Sequence, residues 1–254
     1  MFVIFTLILG LIIGSFVAST VERLANNKSF LSPRSMCPHC GKIIKLRNNI
    51  PIISYFIQKA KTACCQKNIS SIYPIIEVVS VVVFFINFNL FNGQSLLIIS
   101  LLTTVFLIIF FIDFYYFIIF DNTLFVLILI STYTFLINNF NPFDTNIYNS
   151  LCASVSAIFI FYAIKKIYFS IRKKNGLGKG DIKLVGILAL WTGLNYLPYL
   201  IIFASLFAIL HVIINKYITQ NSNDILLIRS PYGSYLVTSF LSMIYLLNLL
   251  EILR

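Results

Sequence analysis

Ser95-Leu-Leu-Ile-Ile-Ser-Leu-Leu-Thr-Thr-Val-Phe-Leu-Ile-Ile-Phe-Phe-Ile112 runs without a charge and stops at Asp113. A helix needs about 20 mostly apolar residues to cross the hydrocarbon core of a bilayer, so this stretch reads as a membrane span with an acid at its end. Similar apolar segments lie at 2–20, 73–90, 123–137, 150–169, 182–194, 197–214 and 233–250, about eight spans in all. Those at 123–137 and 182–194 are short for a full crossing. Of the 254 residues, 59% are hydrophobic and only 11% charged, roughly half the charged share of a soluble domain. The mean hydropathy is +0.93. These features predict an all-α polytopic membrane protein, with the lipid bilayer as its main partner. The N-terminal segment has no basic leader and no small-residue cleavage site, so it reads as the first transmembrane helix rather than a removed signal peptide.

The net charge of +11 is concentrated in loops. Arg23, Lys28, Arg34, Lys42, Lys45, Arg47, Lys59, Lys61 and Lys67 lie between the first two segments. Lys165, Lys166, Arg172, Lys173, Lys174, Lys179 and Lys183 cluster between the fifth and sixth, and Lys216 and Arg229 between the last two. Loops on the other side, around 92–94, 138–148 and 195, have no Lys or Arg; only Arg254 falls outside the pattern. The positive-inside rule makes the basic face cytoplasmic and puts both termini outside. Attraction to anionic lipid accounts for the charge, and no nucleic-acid partner is expected.

Three parts are expected: the first helix at 1–20, a cytoplasmic Cys-containing loop domain at 21–72, and a transmembrane domain at 73–254. The loop domain carries Cys37, Cys40, Cys64 and Cys65. It is too small for an independent core, and such domains usually need a staple. Cytoplasmic thiols stay reduced, so a structural disulfide is not expected. Cys37-Pro-His-Cys40 followed by a second thiol pair fits a zinc knuckle. A redox Cys-x-x-Cys is the rival reading, but it sits on a βαβ scaffold that this loop lacks. A third reading is a loop held by packing alone. Cys152 falls in an apolar span and reads as a packing residue; Trp191 reads as either a packing or an interfacial residue.

Among only eight acids, Asp113, Asp121 and Asp181 sit at predicted cytoplasmic ends of spans. An ionisable group at membrane depth is a candidate functional residue, although an acid at a helix end also serves simply as a cap. Asp181 closes Gly176-Leu-Gly-Lys-Gly-Asp181. Gly178 and Gly180 permit unusual backbone conformations and close approach of another chain. Two carboxyls brought together share a proton. The ionised one then activates a water while the protonated one polarises a peptide carbonyl. Asp113 and Asp181 are therefore the candidate catalytic pair, on one predicted face of the membrane. A transporter built on acids is the competing class, but transporters place such groups at the midplane of broken helices.

Several stretches then occur in a recognisable order: Gly14-Ser-Phe16, Glu22-Arg-Leu24, Ser32-Pro-Arg-Ser-Met-Cys-Pro-His-Cys-Gly41, Asn49-Ile-Pro-Ile-Ile-Ser54 and Tyr73-Pro-Ile-Ile-Glu77. Asp113, Asp121, Gly176-Leu-Gly-Lys-Gly-Asp-Ile-Lys-Leu184, Trp191-x-Gly193 and Ser230-Pro-Tyr-Gly-Ser234 follow. Together they resemble the bacterial prepilin peptidases, or type IV leader peptidases, of the bifunctional kind. The resemblance implies a multi-pass protein of the bacterial inner membrane with its active site facing the cytoplasm. It implies cleavage of prepilin or pseudopilin leaders after a glycine, with Asp113 and Asp181 at the catalytic positions. It also implies N-methylation of the new terminus with S-adenosylmethionine, and it associates the loop domain at 21–72 and the region of Glu77 with that function and 73–254 with the aspartyl peptidase. A peptidase that has lost the methyltransferase activity is the alternative.

Two departures from the family pattern stand out. Phe120 replaces the usual proline before Asp121. The family's second Cys-x-x-Cys falls on positions 62 and 65, but this chain has Thr62 and places Cys64 beside Cys65. The zinc ligands are therefore expected to be Cys37, Cys40, Cys64 and Cys65, with His39 as a substitute. Glu77 is expected either to serve methyl transfer or to favour the helix dipole. Lys183 is expected either to orient an acidic substrate group or to snorkel.

Overall fold

The computed structural model of the chain describes residues 2–26, 35–37, 39–136, 141–174, 176–219 and 230–253. Of the motif residues, 32–34 and Pro38 lie outside these, as do Lys28, Arg34, Arg229 and Arg254. The helices are α1 (Phe2–Ala25), α2 (Ile53–Ile57), α3 (Ile72–Leu90), α4 (Gly93–Tyr116), α5 (Asp121–Leu136), α6 (Ile147–Arg172), α7 (Lys179–Thr219) and α8 (Tyr232–Ile252). By length and composition, 6 of them suffice to cross a membrane, and α5 is a shorter apolar helix. Among the described residues no strand forms, only the isolated bridges Met36–Ile43 and Lys61–Asn68. Backbone amides in lipid must find partners within the segment, and helices provide them.

The expected segments at 182–194 and 197–214 both lie in α7, but they are not one rod. Gly193 breaks it at φ 58°, ψ −176°. A straight helix would carry Leu200 about 14 Å beyond Trp191, yet both meet α8 at the same level. The Trp191 ring lies 5.8 Å from that of Phe240, and Ser239 Oγ donates to Leu200 O at 2.8 Å. The chain therefore reverses near Gly193. Pro198 is tolerated there because it falls in the opening turn of the second half.

That backbone conformation is essentially restricted to glycine. A Cβ at Gly193 would also stand 2.7 Å from Thr145 Cγ2 and 3.0 Å from Asn149 Nδ2. Asn149 Oδ1 in turn accepts the Leu194 N–H at 3.1 Å. Gly193→Ala is expected to cost about 1–3 kcal/mol, measured as a lowered unfolding midpoint in detergent. An unchanged midpoint would show that the turn tolerates a side chain.

The chain divides into two compact units, Met1–Ile108 and Ile109–Arg254. In the first, α1 packs on α3 through Gly10 and Gly14. A Cβ at Gly10 would stand 2.8 Å from Val81 Cα, and one at Gly14 2.8 Å from Glu77 Cα. Small residues four apart let membrane helices approach backbone to backbone. In the second unit, Trp191 is 1% exposed and donates from Nε1 to Thr134 Oγ1 at 3.3 Å, so its packing role holds. Cys152 is corrected: it is exposed on α6 rather than packed.

Candidate functional site

In the second unit the last turns of α4 carry Asp113, which is 5% exposed. The helix ends just beyond it. Phe117 takes a left-handed φ of 57° and its N–H closes on Asp113 O at 2.9 Å. Residues 117–120 then lead to Asp121 at the start of α5. Phe120, in place of proline, accepts from Thr123 Oγ1 at 2.7 Å through its carbonyl, so the turn forms without the ring.

Asp113 Oδ2 accepts the Ser234 N–H at 2.8 Å and lies 3.2 Å from Ser234 Oγ, which also donates to Phe110 O at 2.9 Å. Ser234 belongs to the quoted Ser230-Pro-Tyr-Gly-Ser234 motif, but nothing in the motif assigns it to Asp113. Only the first turn of α8 packing on α4 does so. Gly233 is required beside it, because a Cβ there would meet Ile119 Cδ1 at 2.7 Å and Asp113 Oδ2 at 3.0 Å.

Asp181 sits in the first turn of α7 and its Oδ2 accepts the N–H of Gly178 at 3.2 Å. This is the acidic half of a capping box, in which a third-position acid reaches back to the N-cap amide. The helix-cap role considered for an interfacial acid is thus real, and it orients this carboxylate. The reason for the glycines is corrected. Neither Gly178 nor Gly180 has a positive φ. A Cβ at Gly178 would stand 2.7 Å from Asp181 Oδ2, and one at Gly180 2.8 Å from Ile119 Cβ. The close approach they permit is within the chain.

Ile119 is thus wedged between Gly180 and Gly233, the neighbours of Asp181 and Asp113 respectively. The two carboxyls lie within electrostatic reach of each other. Asp121 and Lys183 pair with one another instead, Nζ to Oδ1 at 2.6 Å, with both side chains largely exposed. An exposed pair of this kind stabilises by about 0–1 kcal/mol. Close by, His211 Nδ1 shares a hydrogen bond with the Tyr235 hydroxyl, and its Nε2 lies 2.9 Å from Asn215 Nδ2.

The first unit holds a second constellation. The Sγ atoms of Cys37, Cys40, Cys64 and Cys65 all lie within 4.8 Å of one another. Cys40–Cys64 is 3.2 Å, Cys37–Cys65 3.8 Å and Cys64–Cys65 4.0 Å. Four sulfurs about 2.3 Å from a shared zinc stand about 3.8 Å apart, so the donor set fits that ion. His39 is not part of the cluster.

The two turns repeat each other position by position. Cys37 N–H donates to Lys42 O at 2.8 Å, as Thr62 N–H does to Lys67 O at 2.8 Å; Gly41 N–H donates to Cys37 O at 2.9 Å, as Gln66 N–H does to Thr62 O at 2.9 Å. Gly41 and Gln66 both have positive φ. Thr62 therefore occupies the position of Cys37. Its hydroxyl takes the Lys67 N–H at 3.1 Å and meets Cys65 Sγ at 3.1 Å. Cys64 supplies the fourth sulfur from the place that His39 holds in the first turn.

Such crowding redistributes protons. Burial raises the Cys37 thiol, but N–H groups of Cys40 and His39, with the thiols of Cys64 and Cys40, outweigh it and bring it to about 6. Cys64 is pushed up to about 12, chiefly by its hydrogen bonds to Cys40 and Cys37. The cluster thus pairs a thiol that loses its proton easily with one that keeps it, and only a cation at its centre would let all four ionise together.

Glu77 is 7% exposed and lies beyond the first turn of α3, so the helix-dipole reading does not hold. Its Oε2 accepts the N–H of Ile52 at 2.6 Å. Ile52 has φ 61°, rare for a β-branched residue. A cavity of about 770 Å³ opens beside Glu77 and is lined by α1, the cysteine turns and the start of α3.

Comparison with known proteins bears on both units. The bacterial Peptidase A24 N-terminal domain matches residues 8–91, and the type IV leader peptidase family matches residues 100–213. The first span includes all four clustered cysteines and Glu77; the second includes Asp113, Asp121, Asp181 and Lys183 but not Ser234. A prepilin leader peptidase/N-methyltransferase of Neisseria gonorrhoeae is 29% identical over 234 residues, 82% of this chain and 80% of that protein. One of Pseudomonas aeruginosa is 27% identical over 264 residues, covering 92% and 87%. A type 4 prepilin-like proteins leader peptide-processing enzyme of Escherichia coli is 24% identical over 259 residues, covering 93% and 91%. No solved structure matches the chain.

Proposed function

Because the chain belongs to the type IV leader peptidase family, we propose that it cleaves prepilin or pseudopilin leaders after a glycine and methylates the amine so exposed. The observation that carries the peptidase reading is that Asp113 and Asp181 stand within electrostatic reach of each other, with Ile119 packed against the glycine beside each. Two close carboxyls share one proton. The ionised member takes a proton from water as the water oxygen attacks the scissile carbonyl. The protonated member gives its proton to the carbonyl oxygen, and the proton gained from water passes to the leaving amine. No covalent intermediate is needed. Ser234 holds Asp113, Gly178 holds Asp181, and the Asp121–Lys183 pair ties the start of α5 to α7.

The basic residues flanking Asp181, from Lys165 to Lys183, support an active site at the cytoplasmic face of a bacterial inner membrane. Cys37, Cys40, Cys64 and Cys65 are the proposed zinc ligands, and the ion would hold the two turns together. The methyl group would come from S-adenosylmethionine, in keeping with the N-methyltransferase names of the relatives.

Full-length protein in detergent, given a prepilin and S-adenosylmethionine, should release the leader and a mature chain heavier by one methyl group. Mass spectrometry reads both products. An uncut prepilin would overturn the peptidase reading, and a cut but unmethylated product would favour the peptidase-only alternative.

The capping geometry makes a sharper prediction. Gly178→Ala places a methyl where the Asp181 carboxylate now lies. A misplacement of about 1 Å can cost roughly 100-fold in rate, so cleavage is expected to fall about that far while the unfolding midpoint hardly moves. A matching loss of stability would point to a structural role for Gly178.

A further inference from the structure

A peptide cut by two carboxyls must bring its scissile carbonyl within about 3 Å of them. A helical carbonyl is already bonded along its own chain, so the peptide has to be unwound at that point. The link between α4 and α5 offers an unwound chain a partner. Residues 117–120 form neither helix nor turn. Within them, the backbone N–H and C=O groups of Ile118 and Ile119 have no hydrogen-bond partner among the described residues. An extended peptide can pair along such an edge.

The side chain of Ile119 limits what can lie there. Its Cδ1 stands 3.4 Å from where a Cβ on Gly180 would be, and 2.7 Å from where one on Gly233 would be. The second of these points is also 3.0 Å from Asp113 Oδ2 and 3.3 Å from Asp113 Cγ. The tip of Ile119 therefore borders the same space as the Asp113 carboxylate, and Gly180 is the residue before Asp181. Ile119 is only half-buried, so part of it stays open to an incoming chain. In a cleaved residue the Cβ lies about 2.5 Å from the carbonyl carbon. Directly opposed residues of paired chains place their side chains on one face, with Cβ atoms about 4.5–5.5 Å apart. With the scissile carbonyl at the two carboxyls, a side chain opposite Ile119 is thus sent into the space that Ile119 already occupies.

We propose that Ile119 reads the residue before the cut: its side chain fills the space beside the two carboxyls that any side chain there would need, and glycine is accepted because it has none. The proposal rests on the peptidase reading above and names a specificity-determining residue for it. Ile119 does no chemistry and acts by exclusion, while backbone pairing along 118–119 holds the peptide against it. Backbone freedom is the rival cause of a glycine preference, since glycine takes positive φ at no steric cost. The two causes part on one point. Shortening Ile119 relieves exclusion but leaves the backbone freedom of the substrate unchanged.

The test uses full-length protein in detergent and two prepilins, one with glycine before the cut and one with alanine in its place. The readout is the ratio of their kcat/KM values, alanine over glycine. Both values scale with the amount of folded enzyme, so the ratio is blind to a loss of stability. Ile119→Ala should raise the ratio about 10–200-fold, the range that one methylene commands in a fitted pocket. Ile119→Val removes a single methylene, keeps the branch at Cβ and should raise it about fourfold.

A ratio at the wild-type value in both variants, with glycine prepilin still cut, overturns the role of Ile119 and leaves the preference to backbone freedom. Should Ile119→Ala cut neither prepilin, the ratio in Ile119→Val decides in the same way. Glycine prepilin left uncut by the wild type overturns the peptidase reading on which the proposal rests.

Discussion

Asp113→Ala and Asp181→Ala are each expected to lower leader cleavage about 1,000-fold or more, with no further loss when both are changed. General acid–base groups contribute roughly 10²–10⁴-fold each, and residues acting as one unit lose their effect together. Asp113→Asn is the more demanding variant. It keeps the volume of a side chain that is 5% exposed and leaves an acceptor for the Ser234 N–H, so the fold is undisturbed while the shared proton is gone. Asp121→Ala is the contrasting control. It breaks only an exposed ion pair with Lys183 and should cost far less than either member of the dyad. Release of labelled leader, measured under single-turnover conditions, separates these outcomes. Activity of Asp113→Asn within tenfold of the wild type would sink the two-aspartate mechanism.

The second large effect concerns the metal. The chain purified in detergent is expected to carry about one zinc, and Cys64→Ser to carry almost none. Structural zinc sites contribute about 10–16 kcal/mol of apparent binding energy to the folds they hold, so the loop at 21–72 should also become sensitive to limited proteolysis. The repeated turn geometry makes the experiment specific. Thr62 has the hydrogen bonds of a first-position cysteine, so adding Thr62→Cys to Cys64→Ser should restore zinc through the regular spacing. Metal analysis with cobalt substitution reads the number of sulfur ligands directly. Full zinc in Cys64→Ser would remove Cys64 from the ligand set. Failure of Thr62→Cys to restore the metal would show that the second turn cannot present a sulfur from position 62.

Several features were legible from residue order because they depend on properties summed along the chain. Hydrophobic runs located the helices, and each expected apolar segment is helical over its described residues. The two segments expected within 182–214 survive as separate arms because Gly193 reverses the chain. The four cysteines do gather in one cluster. What escaped were the partners of single atoms. Glu77 looked like a first-turn acid and instead secures Ile52, 25 residues away. Cys152 looked like packing and faces outward. Gly178 and Gly180 were expected to supply unusual backbone conformations and instead supply space, for the Asp181 carboxylate and for Ile119.

Sequence alone determined that this chain lives in lipid, where its charges lie, and which few acids and thiols stand out enough to carry chemistry. Those are consequences of composition and periodicity, and a bilayer penalises violations strongly enough to make them visible. Tertiary structure alone decided which partner each acid takes. Asp113 meets Ser234 across 121 residues, Lys183 takes Asp121 across 62, and Asp181 turns back on its own helix start. Such pairings are created when helices pack, by short-range contacts between atoms distant in the chain, and no local pattern encodes them.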